Sequence, residues 1–202
     1  MHRRSLLAST ACALAGTTGC LTAARRQASG PVRFGHARGR IHDATDAFVR
    51  GGLGGSPPET SYAAWLFTEP PATDVTVFTD ALGDETQRQW DNEVHNENYD
   101  AGFLVLAQIR TLRDRATTLR PSPLGCDADW AGWREARVPL GLEPAELTPE
   151  ELPDADDVVA TLATYLEASD GPRRATVPFL STEADTCEAA NATLTAEAWT
   201  PP

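Results

Sequence analysis

The stretch VVATLATYLEASDGPRRATVPFL, residues 158–180, decides the fold class. Its first half carries two conflicting patterns. Val158, Leu162 and Leu166 recur at helical spacing, whereas Thr161, Thr164 and Tyr165 are residue types that favour a pleated strand. The Ser169-Asp170-Gly171-Pro172 turn and the RRATVPFL run after it resolve the conflict. Two β-rich runs flanking a tight Gly/Pro turn predict a hairpin, and so a sheet protein.

Outward from that hairpin the strand signals continue. Ala101 to Ile109 (AGFLVLAQI) is the most apolar stretch after the amino terminus and predicts a central strand. Tyr62 to Thr68, stopped by Pro70-Pro71, predicts a buried strand, and Asp74 to Thr79 (DVTVFT) alternates as another. Glu135 to Leu142 reads as an edge strand, because Pro139 has no N–H to give to a ladder. Arg120 to Trp133, with Pro121, Pro123 and Gly125, and the acidic Leu147 to Asp157 read as loops. Asp84 to Asn96 is polar except at Trp90 and Val94, four apart, which predicts one short surface helix. The fold class expected is mainly β: a β-sandwich or open barrel of about six or seven strands with one short helix.

Composition narrows the environment. The chain has 202 residues and a formal charge of −12, from 29 acidic residues against 17 basic ones. All the basic ones are arginine, and lysine is absent. An acidic, lysine-free surface suits concentrated salt, where the Debye length falls to about 3 Å at 1 M and self-repulsion fades. A GC-rich genome, which favours Arg codons, accounts for the missing lysine equally well. Either way such a surface repels phosphate, and the pairs Arg3-Arg4, Arg25-Arg26 and Arg173-Arg174 are too dispersed to form a groove. Nucleic acid is therefore excluded as an expected partner.

The amino terminus, MHRRSLLASTACALAGTTGC, has a basic start, an apolar run from Leu6 to Ala15 and small residues before Cys20. The run is short of the roughly 20 apolar residues that span a bilayer, so residues 1–19 read as a signal peptide. Arg3-Arg4 ahead of Ser5-Leu6-Leu7 resembles the twin-arginine export signal, and Thr17-Thr18-Gly19-Cys20 resembles a lipobox, with Thr17 where leucine is usual. Cys20 is then the lipidated residue; an uncleaved signal with a free thiol is the competing reading. Residues 20–59, including GGLGGSPP at 51–58, read as the lipidated cysteine and a flexible tether. Residues 60–190 form the expected globular β domain and 191–202 a C-terminal tail. Within the tether, Arg38 to Ile41 could make a short strand and Asp43 to Val49 a helical turn.

With Cys12 removed and Cys20 acylated, Cys126 and Cys187 remain in an oxidising compartment and are expected to pair. Closing a loop of about 60 residues contributes on the order of 4 kcal/mol in the chain-entropy treatment. Neither cysteine has a Cys or His neighbour at zinc-ligand spacing, so metal ligation is the weaker reading. Asn191-Ala192-Thr193 is an N-glycosylation acceptor triplet.

Three further clusters could carry chemistry, and each has a plainer explanation. The row DNEVHNENYD, 91–100, offers oxygen ligands and His95, but lacks the glycine and terminal glutamate of a calcium loop. Asp154, Asp156 and Asp157, beside Glu150 and Glu151, read as a solvated loop. Trp130 and Trp133 near Asp127 and Asp129 could bind sugar, but tryptophans beside a disulfide more often pack on it. His36 and His42 fall in the tether, where they would be poorly placed as ligands. No nucleophile elbow, phosphate loop or dinucleotide fingerprint is present. No catalytic residue, metal ligand or cofactor is assigned.

With those residues in view, the chain resembles the small twin-arginine-exported lipoproteins of haloarchaea. Gln89-Trp90-Asp91, Asn98-Tyr99-Asp100 and Phe103 to Gln108 are similar to a subset of them. The resemblance implies a lipid-anchored protein on the outer face of the cell membrane and carries over no activity. The expected role is a cell-surface binding or structural module, its partners the membrane through the lipid and a surface protein of unknown identity. The alternatives are a small exported hydrolase using 91–100 with His95, and an accessory subunit of a membrane complex.

Overall fold

A computed structural model describes residues 30–54, 61–148, 151–181 and 186–202. The expected central strand is Gly102–Leu112, and every residue from Gly102 to Ile109 is buried. Burial on both faces requires cover on both, and alternation assigns the cover. Phe103, Val105, Ala107 and Ile109 face one core, while Leu104 and Leu106 face a second one with Phe48, Phe78, Trp90 and Val94.

In chain order the strands are β1 (Arg33–Asp43), β2 (Tyr62–Phe67), β3 (Gly102–Leu112), β4 (Thr117–Pro121) and β5 (Asp129–Gly132). They continue as β6 (Glu135–Arg137), β7 (Leu140–Pro144), β8 (Asp157–Glu167), β9 (Arg174–Ser181) and β10 (Ala190–Ala198). The single α-helix among the described residues, α1, is Asp84–Asn96, as the Trp90/Val94 spacing predicts, and both residues are buried. These ten strands of the described residues form one curled, open sheet in the order β1-β8-β3-β2-β10-β9-β6-β5, with β7 also on β9 and β4 on β7. The mainly β, open-barrel expectation therefore holds, with ten strands among the described residues in place of about six or seven.

Both halves of 158–180 are strands, but they are not a hairpin. β8 pairs with β1 and β3, whereas β9 pairs with β10, β6 and β7. Leu162 and Leu166 of β8 share the inner core with Ala175, Val177 and Phe179 of β9. The 169–172 turn thus carries the chain across the hollow of the curled sheet. Local turn chemistry fixed the reversal and tertiary burial chose the partners.

Three other segments differ from their expected form. Asp74 to Thr79 is not a strand: only Phe78 makes a single bridge, to Val49, and the Val77 and Phe78 N–H groups both go to the Asp91 carboxylate. Glu135 to Leu142 breaks at Pro139 into β6 and β7, each parallel to β9 and neither at an outer edge. The expected loop from Arg120 to Trp133 includes the end of β4 and all of β5.

The domain boundaries also shift. The supposed tether supplies the eleven-residue β1, and Val32, Phe48, Val49 and Leu53 are buried. Gly52 and Gly54 are packing glycines: a Cβ at Gly52 would strike the Gln108 side chain, and one at Gly54 the Asp46 backbone. The supposed tail supplies β10, antiparallel to β9 and parallel to β2, and Trp199 stacks on Phe67 at 5.7 Å. Alternation at Ala192, Leu194 and Ala196 was its available signal.

Candidate functional site

The helix α1 and strand β1 bring together most of the polar chemistry. On the core side of α1, Asp91 is buried and its Oδ1 accepts from the backbone N–H of Val77 at 2.8 Å and of Phe78 at 3.2 Å. His95 Nδ1 donates to the Asp91 carbonyl oxygen at 2.7 Å. The ring therefore meets the Asp91 backbone and not its carboxylate, so the two residues make no acid–base dyad. Tyr99 Oη donates to the Val94 carbonyl at 2.7 Å, which ties the chain after the helix back onto its last turn. Burial and the nearby Glu97 carboxylate push the Tyr99 phenol far up.

Toward β1 the helix presents Glu93, with Glu97 at its C-cap. Arg38 Nη1 pairs with Glu93 at 3.1 Å, its Nη2 donates to Gln89 Oε1 at 2.9 Å, and its guanidinium lies 5.4 Å from the Trp90 ring centroid. One turn along, His36 Nε2 lies 2.7 Å from Glu97 Oε1, and the imidazole stacks on Tyr165 at 5.3 Å. The donor atoms of His36, Glu93 and Glu97 all lie within 4.8 Å of one another, the single such group among the described residues. The sequence places the two glutamates in the 91–100 row, but His36 was set aside as a ligand because β1 was taken for tether. The signal it lacked was the pairing of β1 with β8, which turns His36 toward α1.

A second feature is the seam of the sheet. Among the described residues β1 pairs only with β8 and β4 only with β7, so the other edge of each strand is unpaired. The two strands nevertheless lie against one another. A cleft of about 390 Å³ is lined by Gly39, Arg40 and Ile41 of β1 and by Thr118, Leu119 and Arg120 of β4, together with Ala160 and Thr161 of β8.

The other sequence candidates are placed individually. Asp157 pairs with Arg110 at 2.8 Å and Asp154 with Arg113 at 3.2 Å, and Glu151 accepts from the Thr148 backbone N–H and hydroxyl, so these three carboxylates of the acidic stretch have protein partners. Trp130 is buried and its Nε1 donates to the Gly30 carbonyl at 3.2 Å, whereas Trp133 is 76% exposed; the pair makes no joint platform. Cys126 and Cys187 are placed as a disulfide with Cα atoms 5.6 Å apart. Asn191 is exposed at the β10 irregularity between Ala190 and Ala192. Arg3, Arg4 and Cys20 lie outside the described residues. Among the described residues, no helix is long and apolar enough to cross a membrane.

The chain matches no protein-family model, no curated protein and no solved structure.

Proposed function

We propose that the chain is a lipid-anchored module of the cell surface, held by Cys20, whose β domain binds an extended segment of a partner surface protein in the seam between β1 and β4. The observation that carries the reading is that β1 and β4, each with one edge unpaired among the described residues, both line the same cleft. Each edge presents a row of backbone N–H and C=O groups, the chemistry that accepts an added strand. Ile41 and Leu119 give the cleft apolar contact, and Arg40 and Arg120 stand exposed at its rim. The amino-terminal signal and Cys20 supply the address. The hydrolase alternative loses its main support, since Asp91 and His95 are engaged with backbone groups.

Two experiments test the two halves of this reading. A photocrosslinking residue at Arg40 or Thr118, on the native membrane, is expected to give an adduct of defined mass, and the same residue at exposed Thr195 on β10 none. Equal labelling from all three positions, or none from the seam, overturns the binding site. Cys20→Ser is expected to move the protein from the membrane fraction to the medium, and retention on the membrane overturns the anchor.

A further inference from the structure

We infer that His36, Glu93 and Glu97 form a binding site for a divalent transition-metal cation of the zinc type. Three observations converge. First, the ligand set is one imidazole nitrogen and two carboxylates from two different elements, with donor atoms within 4.8 Å. Such a mixed nitrogen and oxygen set suits zinc and its neighbours, whereas calcium and magnesium take oxygen alone. Second, the set is held in place. Only 10% of the Glu97 side chain and 19% of the Glu93 side chain are exposed, and Tyr165 stacks on the His36 ring and fixes its plane. Third, the charge is on the wrong end of the helix. Glu93 lies in the last turn of α1 and Glu97 is its C-cap, where the negative pole of the helix disfavours carboxylates and favours a cation.

The local cation already present does not fill this role. Arg38 engages Glu93 from the side and is also held by Gln89 and the Trp90 face. It can keep both of those contacts while Glu93 turns to a metal. Glu97 has His36 as its hydrogen-bond neighbour at 2.7 Å, and the His36 side chain is 55% exposed, so a cation can reach the pair from solvent and take the place of that contact. Three protein ligands with an open fourth position would leave room for water or a ligand group from outside.

Calorimetric titration of the full chain with zinc chloride tests the site, in about 1 M potassium chloride so that diffuse counter-ion binding is screened. The expected result is one saturable site per chain. His36→Ala and Glu97→Gln are each expected to weaken it at least about tenfold, as loss of a ligand does. Arg38→Ala is expected to leave affinity unchanged or to raise it, and Asp154→Asn to leave it unchanged. Zinc should raise the melting temperature of the wild type and not that of His36→Ala, which keeps the test readable if the variant is itself less stable. No saturable site, equal weakening by Asp154→Asn, or an undiminished thermal shift in His36→Ala overturns the proposal.

Discussion

Gln108 stands directly opposite Thr161 in the β3–β8 register, and its Nε2 donates to the Thr161 hydroxyl at 2.9 Å while its Oε1 accepts from the Leu53 backbone N–H at 2.8 Å. One fully buried amide thereby fastens the 44–54 segment to the outer face of the sheet. Gln108→Leu keeps the bulk but strands the Leu53 N–H and one partner of Thr161 away from water. Each buried polar group left unpaired costs about 1–3 kcal/mol, so a loss of about 2–4 kcal/mol in urea unfolding is expected. A loss below about 0.5 kcal/mol would show that the fastening is not made.

The same network sets a pH dependence. His42 is buried; with its Nδ1–H donating to the Asp43 carbonyl at 2.9 Å, its Nε2 accepts from the Thr161 hydroxyl at 3.1 Å. That hydroxyl in turn accepts from Gln108, so every proton in the chain of bonds is assigned only if the ring is neutral. Burial lowers the His42 pKa below its ordinary 6.5, against the Asp43 backbone bond and the Asp46 charge that raise it, and Arg40 adds to the lowering. The unfolded chain therefore binds the proton first as pH falls. Stability is full above about pH 7 and declines as pH drops through 6.5 toward the lower folded value. The slope is at most about 1.4 kcal/mol per pH unit. Unfolding free energies measured between about pH 7.5 and 5.5 should slope in the wild type and be flatter in His42→Gln. Parallel slopes would show that His42 is not the group responsible.

These contacts mark where the sequence was legible. The period and apolarity of residues 101–109 and the Trp90/Val94 spacing are local properties, and they located β3 and α1 directly. Partner choice is not local. Nothing within 158–180 shows that β8 leaves its neighbour β9 and takes β1 and β3, because that depends on which faces the curled sheet buries. β1 was hidden for a related reason. Its residues Gly35, His36, Ala37, Gly39 and Arg40 are exposed, so it has little apolar alternation to read. The glycines beyond it look like linker composition until Gly52 and Gly54 are seen against Gln108 and Asp46. Losing β1 meant losing His36, and with it the convergence on Glu93 and Glu97.

Asp91 separates a structural from a catalytic carboxylate. Its Oδ1 holds two backbone donors that would otherwise be buried and unpaired. Asparagine retains an oxygen at that position, so Asp91→Asn is expected to cost about 1 kcal/mol, whereas Asp91→Ala is expected to cost about 2–4 kcal/mol. A carboxylate used as a base would behave differently, since the amide cannot replace it in proton transfer. Thermal unfolding of the two variants gives the comparison. Equal destabilisation by Asn and Ala would remove the capping role assigned to Asp91.

The Cys126–Cys187 link closes a loop of 61 residues that contains β5 to β9 and ends just before β10. Arg137 donates to the Cys187 carbonyl, so the segment entering β10 is held at two points. β10 joins the two halves of the sheet, pairing with β9 over six registered positions and with β2 over only two. Restricting the unfolded chain by this link is worth on the order of 4 kcal/mol, and native contacts alone must hold the short β10–β2 join once it is gone. The double variant Cys126→Ala, Cys187→Ala is therefore expected to lower unfolding free energy by about 2–5 kcal/mol. The loss should also be uneven. Amide exchange at Glu197 and Ala198, which face β2, should accelerate more than exchange at Val105 and Leu106 in β3, which pairs on both edges. A uniform acceleration across both strands would mean that the link stabilises the sheet as one unit and that the β10–β2 join is not its weak point.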